Sequence, residues 1–99
     1  MKSLKVVVTQ QAMREQDEIF DFICNVALAP LTAYTYITGL QNEIELLGKT
    51  GASLSIDYRL SEQLGRKVYR RNYKRVAIIY SVEDDAVYIH HIIPQSMIK

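Results

Sequence analysis

The 99-residue chain has a single cysteine, no tryptophan, and no uninterrupted apolar run approaching the ~20 residues that cross a bilayer. One thiol closes no internal disulfide, which excludes the small, disulfide-stapled class of secreted domains and agrees with a cytoplasmic setting. The opening "MKSLKVVVTQQ" has too short an apolar stretch for a signal peptide and reads as a strand. No membrane partner is expected. An excess of one charge sign is also missing, since the net charge is only +1. A protein that grips RNA through phosphates usually carries more positive charge than this.

The hydrophobic side chains make up 48% of the sequence, which suits one core and one domain over residues 1–99. Charge is unevenly spread. Residues 1–58 hold four basic and seven acidic side chains, whereas Arg59 to Arg75 contain seven basic ones against Glu62 alone.

Periodicity sorts the elements. "LKVVV" is β-rich, and Thr9 stands where it can cap a following helix. In "QQAMREQDEIFDFICNVA" the apolar positions Ala12, Ile19, Phe20, Ile23 and Ala27 make one stripe. Its carboxylates, Glu15, Asp17, Glu18 and Asp21, read as lying toward the N-terminal half, where the helix dipole favours them. Pro30 fits the first turn of a second helix, in which Ala33, Tyr36, Ile37, Leu40, Ile44 and Leu47 repeat, and Gly48 is placed to end it. Gly48 to Gly65 shows no clear period and reads as turn-like. "RKVYRR", "RVAIIYSV" and "AVYIHHII" then read as three strands joined by "NYK" and "EDD". Strict alternation puts Val76, Ile78, Tyr80 and Val82 on one face, and Val87, Ile89, His91 and Ile93 on the matching face. The result is an α+β fold of order β-α-α-β-β-β, with an antiparallel helix hairpin on one face of a mostly antiparallel four-stranded sheet.

This order, with the acidic "DEIFDFI" helix and the run "GRKVYRRNYKRVAIIYSVEDDAVYIHHII", resembles the RelE/ParE superfamily of toxins from type II toxin–antitoxin modules. The resemblance covers nearly the whole chain. It implies a cognate antitoxin whose flexible segment wraps the toxin, and it is compatible with a homodimer. It also implies one of two targets. RelE-like members cut mRNA on the ribosome, and ParE-like members poison DNA gyrase. The RelE-like pattern has an arginine three positions before the tyrosine of the "Y-x-V" strand, where this chain has Ala77 before Tyr80, and both branches carry cations after the last strand, where this chain has "PQSMIK". The expectation is therefore a ParE-like toxin acting on gyrase or another replication target. The alternatives are a RelE-like endoribonuclease or a degenerate, non-toxic member.

Candidate site residues follow. Arg66, Lys67, Arg70, Arg71, Lys74 and Arg75 form the candidate surface for antitoxin or target; the competing role is solvated charge on a sheet edge that discourages aggregation. If there is catalysis, Arg71, Arg75, His90 and His91 are the candidate groups. Adjacent strand residues point to opposite faces, so the two histidines are not expected to share a metal or a proton: His91 would face the helices and His90 the open side. Tyr69, Tyr73, Tyr80 and Tyr88 could stack on bases, but packing accounts for most of them. Cys24 reads as a buried structural thiol. Asp84 and Asp85 form a turn pair. "GKTG" lacks the spacing and preceding strand of a phosphate loop, and no cofactor is expected.

Overall fold

The computed structural model describes residues 3–98. Its first strand, β1 (Lys5–Val8), is the β-branched run near the N-terminus. Thr9 makes the junction to α1 (Gln10–Asp21). Its side chain accepts a hydrogen bond from the Ala12 N–H at 3.2 Å, and its hydroxyl donates to the Ile89 carbonyl at 2.8 Å. A π-helical turn, Phe22–Val26, follows, and Pro30 opens α2 (Pro30–Thr50).

Two features of this hairpin differ from the sequence expectation. The α-helical part of the first helix ends at Asp21, so its carboxylates occupy the middle and second half, and its first turn has no acidic residue. They gain nothing from the dipole; Glu15 instead makes a tertiary contact described below. Gly48 does not stop α2, which continues to Thr50. A Cβ at Gly48 would come within 2.6 Å of the Leu4 carbonyl oxygen, so glycine is needed there to let the N-terminal segment cross the helix. The Leu4 N–H donates to the Gly48 carbonyl at 2.7 Å at the same crossing.

The segment without a readable period contains a third helix, α3 (Tyr58–Leu64), whose N-cap Asp57 accepts from the Leu60 N–H at 2.9 Å. Two turns are too short to display a period. Next come β2 (Tyr69–Tyr73), β3 (Val76–Glu83) and β4 (Ala86–Pro94). β2 runs through Asn72 and Tyr73, so the β2–β3 turn is only Lys74 and Arg75 rather than "NYK". Lys74 and Asp84 take the left-handed conformation, at φ 51° and 53°, in these two tight turns.

The sheet order is β1-β4-β3-β2, with β1 parallel to β4 and the other pairs antiparallel. The α1–α2 hairpin covers one face, as expected, around Leu40, Leu47, Ile78, Tyr80, Val87, Ile89 and Ile92. α3 packs on the opposite face with Leu60, Val68, Ala77 and Ile79. A bulge interrupts the β3–β4 ladder: Ile79 pairs with His91 and Tyr80 with Ile89, which leaves His90 as the extra residue. One added residue resets the alternation. Val87 and Ile89 face the hairpin as strict alternation requires, but beyond the bulge Ile92 takes the core position and is 1% exposed. His91 and Ile93 do not lie with Val87 and Ile89; they turn to the α3 face.

Candidate functional site

The bulge also decides the histidines. His91 lies opposite Ile79, and His90 contacts Ser81, two residues along the same face of β3, so both imidazoles are on the α3 side. The expectation that they point apart fails for this reason. They are nevertheless engaged separately. His90 Nε2 lies 2.7 Å from Ser81 Oγ and 3.2 Å from a terminal guanidinium nitrogen of Arg66. An arginine can only donate, so this network makes Nε2 the acceptor and places the imidazole proton on Nδ1. Burial first, then the Arg66 charge, hold the His90 pKa below its ordinary range, while Glu83 opposes them. Ser81 is 4% exposed, which keeps its hydroxyl away from an incoming substrate.

His91 Nδ1 lies 3.4 Å from Glu15 Oε2, and the other oxygen of that carboxylate accepts from the Ile92 N–H at 2.9 Å. The cause is a mismatch of length. β1 pairs with β4 only as far as Ile89, so the outer edge of β4 beyond it has no strand beside it. Glu15 of α1 reaches down and supplies the acceptor a neighbouring strand would have provided. Neither Glu15 nor Ser81 is singled out by the sequence. The available signal is a four-residue β1 beside a nine-residue β4.

The basic block does not form one patch. Arg71 is on the hairpin side, with its Nε 2.8 Å from Glu43 of α2. The Lys74 ammonium sits 5.5 Å and 5.7 Å from the ring centres of Tyr73 and Tyr36. Arg66 turns to His90, and Arg70 donates to Asn72 at 2.8 Å. Lys67 is exposed ahead of β2. Tyr69, Tyr73 and Tyr80 are packing residues: Tyr69 stacks on Tyr80, and Tyr73 meets Tyr36 edge-on. Cys24 is half-buried in the π-helical turn rather than fully buried.

An apolar groove runs between α1 and the far end of β4. Its cavity is about 490 Å³, lined by Ile19, Phe22, Ile23, Tyr36, Val76, Ile92, Pro94 and Met97. Glu15 and Glu18 supply its acidic lining and Arg75 its basic one. A second cavity of about 450 Å³ lies on the α3 side, among Leu60, Leu64, Ile79, His91 and Ile98. The two share Glu15, Ile93 and Met97, so they adjoin at the end of β4. The segment after β4 has a structural reason to hold this shape. The Gln95 N–H donates to the Arg75 carbonyl at 2.9 Å, and its side-chain amide donates to the carbonyls of Lys74 and Val76 at 2.6 Å and 3.1 Å.

The family described as "ParE toxin of type II toxin-antitoxin system, parDE" matches residues 6–99. The chain belongs to this ParE toxin family. It is the toxin component of a type II toxin–antitoxin module. No curated protein matches the sequence. Among solved structures, a chain of the chromosomal ParDE toxin–antitoxin system from P. aeruginosa has a similar fold, with a TM-score of 0.77 at 17% identity, over 93% of this chain and 96% of that one. In this ParE-family chain Gln95 and Met97 occupy the segment after the last strand: Gln95 ties down the β2–β3 turn, and Met97 lines both cavities. Among the described residues, no helix is long and apolar enough to cross a membrane.

Proposed function

We propose that this ParE-family toxin arrests growth in the cytoplasm by binding DNA gyrase or another replication target, without cutting RNA. A cognate antitoxin neutralises it by laying an acidic, apolar segment into the groove between α1 and the end of β4. The observation that supports binding over cleavage is how the candidate catalytic groups are occupied. RNA cleavage needs a base, an acid and cations converging on one phosphate. Here Arg71 is paired with Glu43 and Arg75 lines the hairpin-side groove, while both histidines lie on the other face. The groove favours an antitoxin segment because its floor is apolar and Arg75 lines it, next to the exposed Lys74 of the β2–β3 turn.

One observation favours the endoribonuclease reading instead. His90, its pKa lowered and its Nε2 3.2 Å from the exposed Arg66, is a base next to a cation. Inducing the toxin without antitoxin separates the two. Altered plasmid supercoiling and a DNA-damage response without new mRNA ends support the binding reading. Codon-phased 5′ ends with unchanged supercoiling overturn it, and the absence of growth arrest assigns the chain to a non-toxic branch. For the groove, Met97→Asp, at a residue 69% exposed, weakens antitoxin binding while leaving the fold intact.

A further inference from the structure

The tip of the α1–α2 hairpin is unusual in two independent ways. From Phe22 to Asn42 the sequence contains no charged residue, although charged residues make up 23% of the whole chain. In the same region Phe22, Val26, Leu28, Leu31 and Tyr34 are 59%, 68%, 80%, 83% and 64% exposed. These are half of the large exposed hydrophobic residues among those described.

The tip is also held in shape. The Ala27 N–H donates to the Phe22 carbonyl at 3.1 Å, and the Ala29 N–H to the Ile23 carbonyl at 3.0 Å. Phe20 meets Tyr34 edge-on at 5.2 Å across the hairpin. Leu28 adopts φ 54°, a conformation that asparagine or glycine takes far more readily than leucine. A leucine kept in that conformation, with its side chain in water, marks a position selected for something other than monomer stability.

We propose that this tip is a self-association surface, through which two copies of the chain form a two-fold dimer. Area supports a second copy. At roughly 200 Å² for a fully exposed residue of this size, the five expose about 700 Å² together. Even without Phe22, which the groove shares, the remaining four expose about 600 Å², at the top of the ~300–600 Å² of the largest apolar patch on a typical monomer, and the five together approach the ~800 Å² that each partner buries in a standard interface. Charge supports it too. A two-fold interface brings each patch against its own copy, so any charge on it meets the same sign, and this patch has none. A lipid surface fits less well, because interfacial segments carry Lys or Arg beside their apolar face and none is present here. The tip adjoins the groove at Phe22, which lines both, while Val26, Leu28, Leu31 and Tyr34 lie outside it, so this proposal stands whatever the target of the toxin.

Analytical ultracentrifugation of the full chain across the micromolar range tests it, with Leu31→Glu, Leu28→Asn and a control, Leu46→Glu. Leu46 is 50% exposed on α2, fifteen residues along the helix from Leu31 and about 22 Å away. The wild type and the control dimerise alike. Leu31→Glu and Leu28→Asn each raise the dimer dissociation constant by about tenfold or more. Asparagine suits the backbone at position 28, so its melting temperature under monomeric conditions stays at or above that of the wild type, which separates lost association from lost folding. A wild type that remains monomeric throughout, a dimer that survives both substitutions, or association with vesicles in place of dimerisation overturns the proposal.

Discussion

Replacing Tyr80 by phenylalanine tests the account of the core through its response to alkali. Tyr80 is fully buried, stacks on Tyr69 at 5.3 Å, and donates its hydroxyl to the Gly51 carbonyl at 3.0 Å. Burial first, then the neighbouring Tyr69, push its phenol up to about 12 from the ordinary 10, against a smaller pull from Arg71. The native state therefore holds the Tyr80 proton in a range where the unfolded chain releases it, and stability falls as pH rises above about 10. Linkage puts the loss from this one group at about 1 kcal/mol by about pH 11 and about 2 kcal/mol by about pH 12. At neutral pH, Tyr80→Phe costs about 1 kcal/mol, because it removes the hydrogen bond and leaves the Gly51 carbonyl without that donor. The variant lacks the ionisable group, so it escapes the alkaline loss. Urea unfolding from pH 7 to 12 should show the wild type ahead at neutrality and the two stabilities meeting near about pH 11. A constant gap over the whole range would refute the reasoning, because it would mean that the phenol ionises as easily in the fold as out of it.

Three further perturbations probe other links. A Cβ at Gly39 would overlap the Tyr73 hydroxyl, so Gly39→Ala destabilises by about 1 kcal/mol or more despite its better helix propensity; adding Tyr73→Phe recovers most of the loss in a double-mutant cycle. Glu15→Ala leaves the Ile92 N–H without its acceptor and costs about 1–3 kcal/mol by chemical denaturation, whereas Glu15→Gln, which keeps a carbonyl at that place, costs less. An equal loss for the two would sink the edge-capping role. His90 has its pKa lowered in the fold, so its contribution is present above the ordinary histidine range and is lost as pH falls through it. His90→Gln should therefore flatten the acid limb of the stability curve below about pH 7, and an unchanged limb would count against the lowered pKa.

Much of this toxin is legible in its sequence. The helix hairpin follows from the three-and-four spacing of Leu40, Ile44 and Leu47, and the cap from Thr9 before the first helical turn. The strands of the meander follow from β-branched runs broken by "NYK" and "EDD", although Asn72, Tyr73 and Glu83 turn out to belong to the strands. Alternation along β3 correctly assigns Val76, Ile78 and Tyr80 to the hairpin face and so sites the main core. The split of the cations follows in part, since alternation along β2 separates Arg71 from Arg70.

What escaped the sequence has common physical causes. Local patterns are read over several residues, and α3 spans two turns. The bulge at His90 is a single inserted residue, specified by how two strands fit one another, and it reverses the facing of everything after it. Glu15 looks like any solvated helix carboxylate until the fold places it beside an edge that β1 is too short to cover. The sequence by itself determined the four strands and the helix hairpin, their order, the hairpin-side core and the family, because periodicity and turn chemistry are local properties of the chain. Only the tertiary structure decided that both histidines share a face, that the basic block divides between two surfaces, and that an apolar groove opens around the end of β4, because each depends on strand register and on segments distant in sequence meeting in space.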